Sequence, residues 1–243
     1  MNIAIIPAGG QGRRMGGVYP TTKQFLPLQG IPLIIHTLRQ FENCPEIDAV
    51  IVVLPTAQIQ EGDFLQLIHH YNLTKVLPPI AGAIERQGSV FAGLQAIEAN
   101  ASLRDRVEIV AIHDAVRPFI TPTQITATIV MARKTGAAIC ALPATDTIKE
   151  VLEEKIQRTL PRDHIYLAQT PQTFRYQLIF AAHSAAAREN FLATDDAMLV
   201  ERLGGSIAVV TGSPDNIKIT NPSDLALAES ILSRRQNNIE DSL

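Results

Sequence analysis

The segment Pro7-Ala8-Gly9-Gly10-Gln11-Gly12-Arg13-Arg14-Met15-Gly16 directly follows an apolar run, Ile3 to Ile6, and Lys23 comes shortly after it. Small residues let a backbone approach a ligand closely, and N–H groups along such a turn can converge on an anion. A bare glycine turn with solvated arginines is the plainer reading. Four glycines and three cations (Arg13, Arg14, Lys23) at the carboxyl end of a first strand favour an anion site, because that edge is where open α/β sheets bind ligands. Two familiar phosphate loops are excluded. No stretch supplies Gly-x-x-x-x-Gly-Lys-Ser/Thr. The dinucleotide pattern fails because Arg13-Arg14-Met15 follows Gly10-Gln11-Gly12, and the next apolar run ends at Leu54-Pro55 with no carboxylate for a ribose diol.

A second cluster, His113-Asp114-Ala115-Val116-Arg117-Pro118, closes the apolar run Ile109 to Ile112. A carboxylate and a guanidinium three residues apart can contact a polar ligand together, or simply pair with each other. Placement on the same sheet edge as the glycine loop favours the ligand. His113 alone reads as a satisfied structural group. Asp215-Asn216-Ile217-Lys218-Ile219-Thr220 forms a third cluster ahead of a capped helix. By default Lys218 there, and Arg162 in Leu160-Pro161-Arg162-Asp163, are surface cations.

The elements that must carry these residues alternate. Strands are expected at Ile3 to Ile6, Ala49 to Leu54, Ile109 to Ile112, Ala138 to Leu142 and Ile207 to Val210. Their near-continuous Val/Ile content suits strands buried on both faces of a mostly parallel sheet. Ser89 to Ala99 reads as a helix with Val90, Leu94 and Ile97 on one face. Thr121-Pro122-Thr123-Gln124 is a capping box whose helix should stop at Gly136. Asn221-Pro222-Ser223-Asp224 opens the last helix, and the polar tail after Arg234 is expected to fray. The charged stretch from Asp146 to Arg162 reads either as a solvated hairpin or as an arm that meets a partner.

A chain of 243 residues suits one α/β domain. Its net charge of −3 argues against a general nucleic-acid or membrane-surface binder, so cations for a small polyanion must be gathered locally. No apolar run reaches the roughly 18–20 residues of a membrane span, and Met1-Asn2-Ile3 lacks a basic leader. A cytoplasmic protein is expected. Cys44 and Cys140 match no metal spacing and read as buried small hydrophobes.

The motifs above, taken in order with Lys23-Gln24-Phe25-Leu26, Glu85-Arg86-Gln87-Gly88-Ser89-Val90, Asp146-Thr147-Ile148-Lys149, Gln169-Thr170-Pro171-Gln172-Thr173-Phe174 and Thr194-Asp195-Asp196-Ala197, span nearly the whole chain. Together they resemble the 2-C-methyl-D-erythritol 4-phosphate cytidylyltransferases of the non-mevalonate isoprenoid pathway. The resemblance implies a Rossmann-like nucleotidyltransferase fold: a mostly parallel twisted sheet, helices on both faces and a protruding dimerisation arm at about residues 146–162. It implies CTP, magnesium and a homodimer with shared active sites. Arg14 and Lys23 would stabilise the transition state. Arg162 of the partner chain and Lys218 would hold the acceptor's phosphate. Asp114, Arg117, Thr170 and Thr194, with Thr147 from the partner, would bind the acceptor. Cytosine and the phosphates would lie against Ala8, Gly9, Gly10, Gly12, Arg13, Gly82, Ala83 and Ser89. Two departures from the family pattern stand out: Thr21-Thr22 lengthens the loop ahead of Lys23, and Ile84 replaces an acidic residue.

The chemistry agrees. A phosphate monoester has a second pKa of about 6, so the acceptor is mostly dianionic at neutral pH and can attack the α-phosphorus without a general base. Transfer then needs two polyanions brought together and growing charge neutralised. Magnesium could be held mainly by triphosphate oxygens, since this ion often keeps waters and needs few carboxylates, and no residue is singled out as its ligand. Two other readings stay open at this point: a cytidylyltransferase for a pentitol phosphate such as ribitol 5-phosphate, and a catalytically silent nucleotide-binding protein.

Overall fold

The computed structural model describes residues 1–9 and 22–240. Its elements run β1 (Asn2–Pro7), β2 (Pro27–Leu28), β3 (Ile31–Pro32), α1 (Leu33–Glu42), β4 (Ala49–Leu54), α2 (Thr56–Glu61), α3 (Asp63–His70), β5 (Ile80–Ala81), α4 (Arg86–Ala99), α5 (Ala101–Arg104), β6 (Ile109–Ile112), α6 (Pro122–Thr135), β7 (Ala137–Pro143), β8 (Ile148–Leu152), β9 (Lys155–Leu160), β10 (Tyr166–Arg175), α7 (Tyr176–Glu189), α8 (Asp196–Arg202), β11 (Ala208–Thr211) and α9 (Pro222–Glu240).

Seven strands form one sheet in the order β11-β7-β10-β6-β1-β4-β5. β1 pairs parallel with β4 and β6, β4 with β5, and β7 with β11. Only β10 among these strands runs against its neighbours, β6 and β7. Side chains alternate across the sheet, as the period of two requires. Ala4 and Ile6 join one core with Leu38 and Phe41 of α1 and Ile125 and Ile129 of α6. Ile3 and Ile5 join the opposite core with Val90, Leu94 and Ile97 of α4 and Ile179 of α7. Both faces are therefore helix-covered, which explains why β1, β4 and β6 carry almost no polar residue.

Local signals set several boundaries. Thr121 and Gln124 exchange the two hydrogen bonds of a capping box, and α6 ends at Gly136 with φ 96°, a conformation glycine adopts without steric cost. α4 begins at Arg86, three residues before the expected Ser89. α9 runs past Arg234 to Glu240. Arg235 explains the extension, since its guanidinium donates to the Phe119 carbonyl at 3.0 Å and stacks 5.2 Å from the Phe119 ring. Both cysteines are buried and free, and burial pushes the Cys140 thiol up to about 12.

The stretch 146–162 forms a hairpin of β8 and β9. Glu153 and Glu154 make its two-residue turn, both with positive φ, as the tight turns that match strand twist require. Nearly every residue of the hairpin is exposed, including Val151, Leu152 and Ile156. Among the described residues, no helix is long and apolar enough to cross a membrane.

Candidate active site

The carboxyl ends of β1 and β6 open into a cavity of about 150 Å³. Ala8 and Gly9 line it from β1, and Asp114 from the turn after β6. Lys23, Arg86 and Lys218 add three cations to its wall. Lys23 begins a short 3-10 turn, Lys23–Phe25, whose buried Gln24 donates from Nε2 to the Ala8 carbonyl at 2.6 Å. That bond ties the Lys23 turn to the end of β1, so the lengthened loop still delivers Lys23 to the cavity. Gly10, Gly12, Arg13 and Arg14 lie outside the described residues.

Asp114 organises the cationic side. Arg86 donates from Nε to its Oδ1 at 2.8 Å, Lys218 Nζ approaches Oδ2 at 2.8 Å, and Arg117 Nε lies 3.5 Å from the same oxygen. Burial disfavours the charge on Asp114, but Arg86, Lys218 and Arg117 together hold its carboxyl well below the usual carboxylate range. The turn is fixed from behind. Asp114 donates its backbone N–H to Thr170 Oγ1 at 3.1 Å, and Thr170 Oγ1 lies 3.0 Å from His113 Nδ1. His113 Nε2 meets the Arg117 carbonyl at 3.1 Å. A carbonyl only accepts, so Nε2 carries the proton, and Nδ1 accepts from the Thr170 hydroxyl. Burial keeps His113 in this neutral form by lowering its pKa to about 4.

Ser89 lines the cavity from the first turn of α4. Its hydroxyl accepts from Ala83 N at 3.1 Å and lies 3.1 Å from the Ala83 carbonyl. A Cβ on Gly82 would sit 2.8 Å from Ser89 Oγ and 2.9 Å from Val53 Cγ1. The missing side chain at Gly82 therefore serves close packing of the β5 edge on α4. Gly9 faces Ser89 Oγ and the Ala83 carbonyl at ordinary contact distance from a notional Cβ, 3.5 and 3.7 Å.

Other expected residues stand apart from the cavity lining. Arg117 is mostly buried and donates from Nη1 to the Asn216 carbonyl at 2.7 Å. Thr170 is buried behind Asp114, beside a cis Thr170–Pro171 peptide. Thr194 is exposed ahead of α8. Thr147 and Arg162 lie exposed on the hairpin, where Arg162 Nη1 donates to the Thr145 carbonyl at 2.8 Å.

Arg86 is a site residue that the sequence shows only as part of the motif Glu85-Arg86-Gln87-Gly88-Ser89-Val90. Its guanidinium joins Asp114 to Asp196, with Nη1 2.7 Å from Asp196 Oδ2. The signal that could have found it is its place in the first turn of α4, whose buried face was legible. Among the described residues, no group of three or more His, Cys, Asp or Glu could hold a metal. Asp114, the carboxylate in the lining, is already committed to three cations. This donor set suits a metal that arrives on triphosphate oxygens.

A doubly covered, mostly parallel sheet that gathers cations around one carboxylate at its carboxyl edge is a Rossmann-like α/β fold with a cavity suited to a small polyanion. Residues 2–234 match the family model described as 2-C-methyl-D-erythritol 4-phosphate cytidylyltransferase. A protein of that description from Geotalea uraniireducens is 47% identical over 94% of this chain and 95% of its own length. Its counterpart from Geobacter metallireducens is 44% identical over 96% and 97%. The crystal structure of 4-diphosphocytidyl-2C-methyl-D-erythritol synthase from Anaerococcus prevotii superposes with a TM-score of 0.82, at 31% identity and 96% coverage of both chains. The enzyme from Thermus thermophilus gives a TM-score of 0.71, also at 31% identity, over 95% of this chain and 98% of its own. The chain belongs to the 2-C-methyl-D-erythritol 4-phosphate cytidylyltransferase family.

Proposed function

We propose that this chain transfers CMP from CTP to 2-C-methyl-D-erythritol 4-phosphate and releases pyrophosphate. A phosphate oxygen of the acceptor attacks the α-phosphorus of CTP, and the bond to the β-phosphate oxygen breaks. Family membership over nearly the full length supports the reaction. The observation that carries it in the fold is the cavity itself: Lys23, Arg86 and Lys218 converge on the carboxyl ends of β1 and β6.

Each side of the cavity takes one substrate. The Ala8–Gly9 backbone, the Gly82–Ala83 edge and Ser89 receive cytosine. Gly10, Gly12 and Arg13 lie in the loop that would follow the triphosphate. Arg14 and Lys23 meet the charge that grows on the α-phosphoryl oxygens and the leaving pyrophosphate. Lys218 turns to the acceptor's phosphate, and Asp114 takes its hydroxyls, with Thr194 at the rim. Arg117 and Thr170 hold Asp114 in place. A divalent cation, magnesium by this reading, neutralises triphosphate charge.

Residues 1–243 act as one nucleotidyltransferase domain, and two such chains pair through the hairpin. Its exposed Val151, Leu152 and Ile156 supply apolar surface for that contact. The hairpin's own Arg162 and Thr147 lie outside the cavity lining of their chain. They are read as serving the partner's site. The protein is read as cytoplasmic, with small molecules as its substrates.

Phosphorus NMR of a reaction with CTP, magnesium and 2-C-methyl-D-erythritol 4-phosphate tests the chemistry. A new diphosphate diester with two coupled resonances, plus free pyrophosphate, is expected. Inorganic phosphate or an unchanged spectrum would refute the transfer.

A further inference from the structure

Asp196 is fully buried at the start of α8, yet it carries a carboxylate. One oxygen receives Arg86 Nη1 at 2.7 Å, and the other lies 3.1 Å from His183 Nε2. His183 is itself fully buried and stacks on Phe91 at 5.9 Å. Gln172 Oε1 accepts the backbone N–H groups of Asp196 and Ala197, both at 3.0 Å. Gln172 Nε2 donates to the helix-capping Asp195 at 2.8 Å. The position of Asp196 is thus fixed by β10, α7 and α8 at once.

Arg86 stands between this anchor and the cavity. Its Nε and Nη1 face two different carboxylates, Asp114 and Asp196. A planar guanidinium held at two edges has its orientation set by both partners, which a lysine could not reproduce. Arg86 is only half-buried, but Asp196 is fully buried, and burying a carboxylate for packing alone would be costly. Asp196 does not line the cavity, whereas Arg86 and Asp114 do.

We propose that Asp196 is a positioning residue: acting through Arg86, it fixes the Asp114 carboxylate in the orientation that receives the acceptor, an inference that rests on the reading of Asp114 as an acceptor contact. His183 secures the far oxygen of Asp196. The chain His183–Asp196–Arg86–Asp114 carries the order of α7 and α8 to the acceptor half of the site.

Steady-state kinetics on the full chain, each substrate varied against saturating partner, test this. Asp196→Asn should lower kcat/KM for the acceptor roughly ten- to a hundredfold, the worth of one charge-assisted hydrogen bond. KM for CTP should move by less than about twofold. In an Arg86→Lys background, Asp196→Asn should add little further loss. Fully additive losses would show that Asp196 does not act through Arg86 and would overturn the proposal. Equal damage to CTP and acceptor parameters, the mark of a merely structural role, would also overturn it. His183→Leu is the second variant should Asp196→Asn fail to fold. It should impair the acceptor selectively, and His183→Gln, which keeps a donor, should restore much of the loss. A silent His183→Leu in that case overturns the proposal. Asp114→Asn separates the two levels. If it leaves acceptor kcat/KM unchanged, the reading of Asp114 fails and the inference with it. If it impairs acceptor use while Asp196→Asn does not, only the positioning inference fails.

Discussion

Lys218 Nζ and Asp114 Oδ2 meet at 2.8 Å, joining the segment after β11 to the turn after β6 at the cavity wall. Asp114 also pairs with Arg86 and Arg117. Lys218 can therefore turn toward an incoming phosphate without stranding the carboxylate. Lys218→Ala should raise the acceptor KM roughly ten- to a hundredfold, the loss of one charged contact, with CTP affinity little changed. Substrate-varied kinetics check this. A loss confined to CTP would place Lys218 on the wrong substrate.

Arg14 and Lys23 are assigned to charge that develops only in the transition state. Removing one such donor typically lowers turnover by about 10²–10³. Arg14→Ala and Lys23→Ala should reduce kcat far more than they weaken CTP binding measured by calorimetry. A change confined to KM would mean that both serve only the ground state.

Gly82 has no room for a side chain beside Ser89 and Val53. Gly82→Ala should push Ser89 or the β5 edge aside and destabilise the fold by about 1–3 kcal/mol. It should also raise the KM for CTP while leaving that for the acceptor near its starting value. Thermal melts and kinetics report the two effects separately, and unchanged CTP use would remove Gly82–Ser89 from the nucleotide wall.

Burial lowers the pKa of His113 to about 4, against 6.5 for an unperturbed histidine. Between these values the unfolded chain takes up a proton that the folded chain refuses. Stability should therefore fall as pH drops from about 6.5 toward 4 and should not respond to this group above that window. His36, also lowered by burial, adds to the same slope. Melting curves of His113→Gln across this range should lose part of the dependence and keep the share of His36. An unaltered slope would show that His113 does not refuse the proton.

Much of this was legible in the sequence, and the gaps have physical causes. β1, β4 and β6 were plain because burial on both faces demands unbroken apolar runs. β10 does not look like a strand in the sequence, because its buried middle includes Gln169, Thr170, Gln172 and Thr173. Each is satisfied by a distant partner: Gln169 by Ser213, Thr170 by His113, Gln172 by Asp195 and Thr173 by Thr128. Polarity in a strand resembles a loop until those partners are known. Arg86 and Asp196 were obscure for the same reason, since each looks like a surface charge until the other is placed. The hairpin's charge allowed both a solvated turn and an arm, and its exposure is consistent with either.

The arm gives a separate prediction. If Arg162 serves the partner's site, Arg162→Ala should raise the acceptor KM and spare CTP affinity. Mixing Arg162→Ala with Arg14→Ala chains should then restore activity on subunit exchange, because one site of each mixed dimer carries neither defect. A fully active monomer, or no recovery despite demonstrated exchange, would return Arg162 to its own chain or to no site.

Pyrophosphate release, with CTP, ATP and GTP each crossed against 2-C-methyl-D-erythritol 4-phosphate and ribitol 5-phosphate, tests the assignment most directly. The cavity and the family predict rapid release for CTP with 2-C-methyl-D-erythritol 4-phosphate alone, dependent on added magnesium. Equal turnover with a purine triphosphate, preference for ribitol 5-phosphate, or no release with any pair would contradict it.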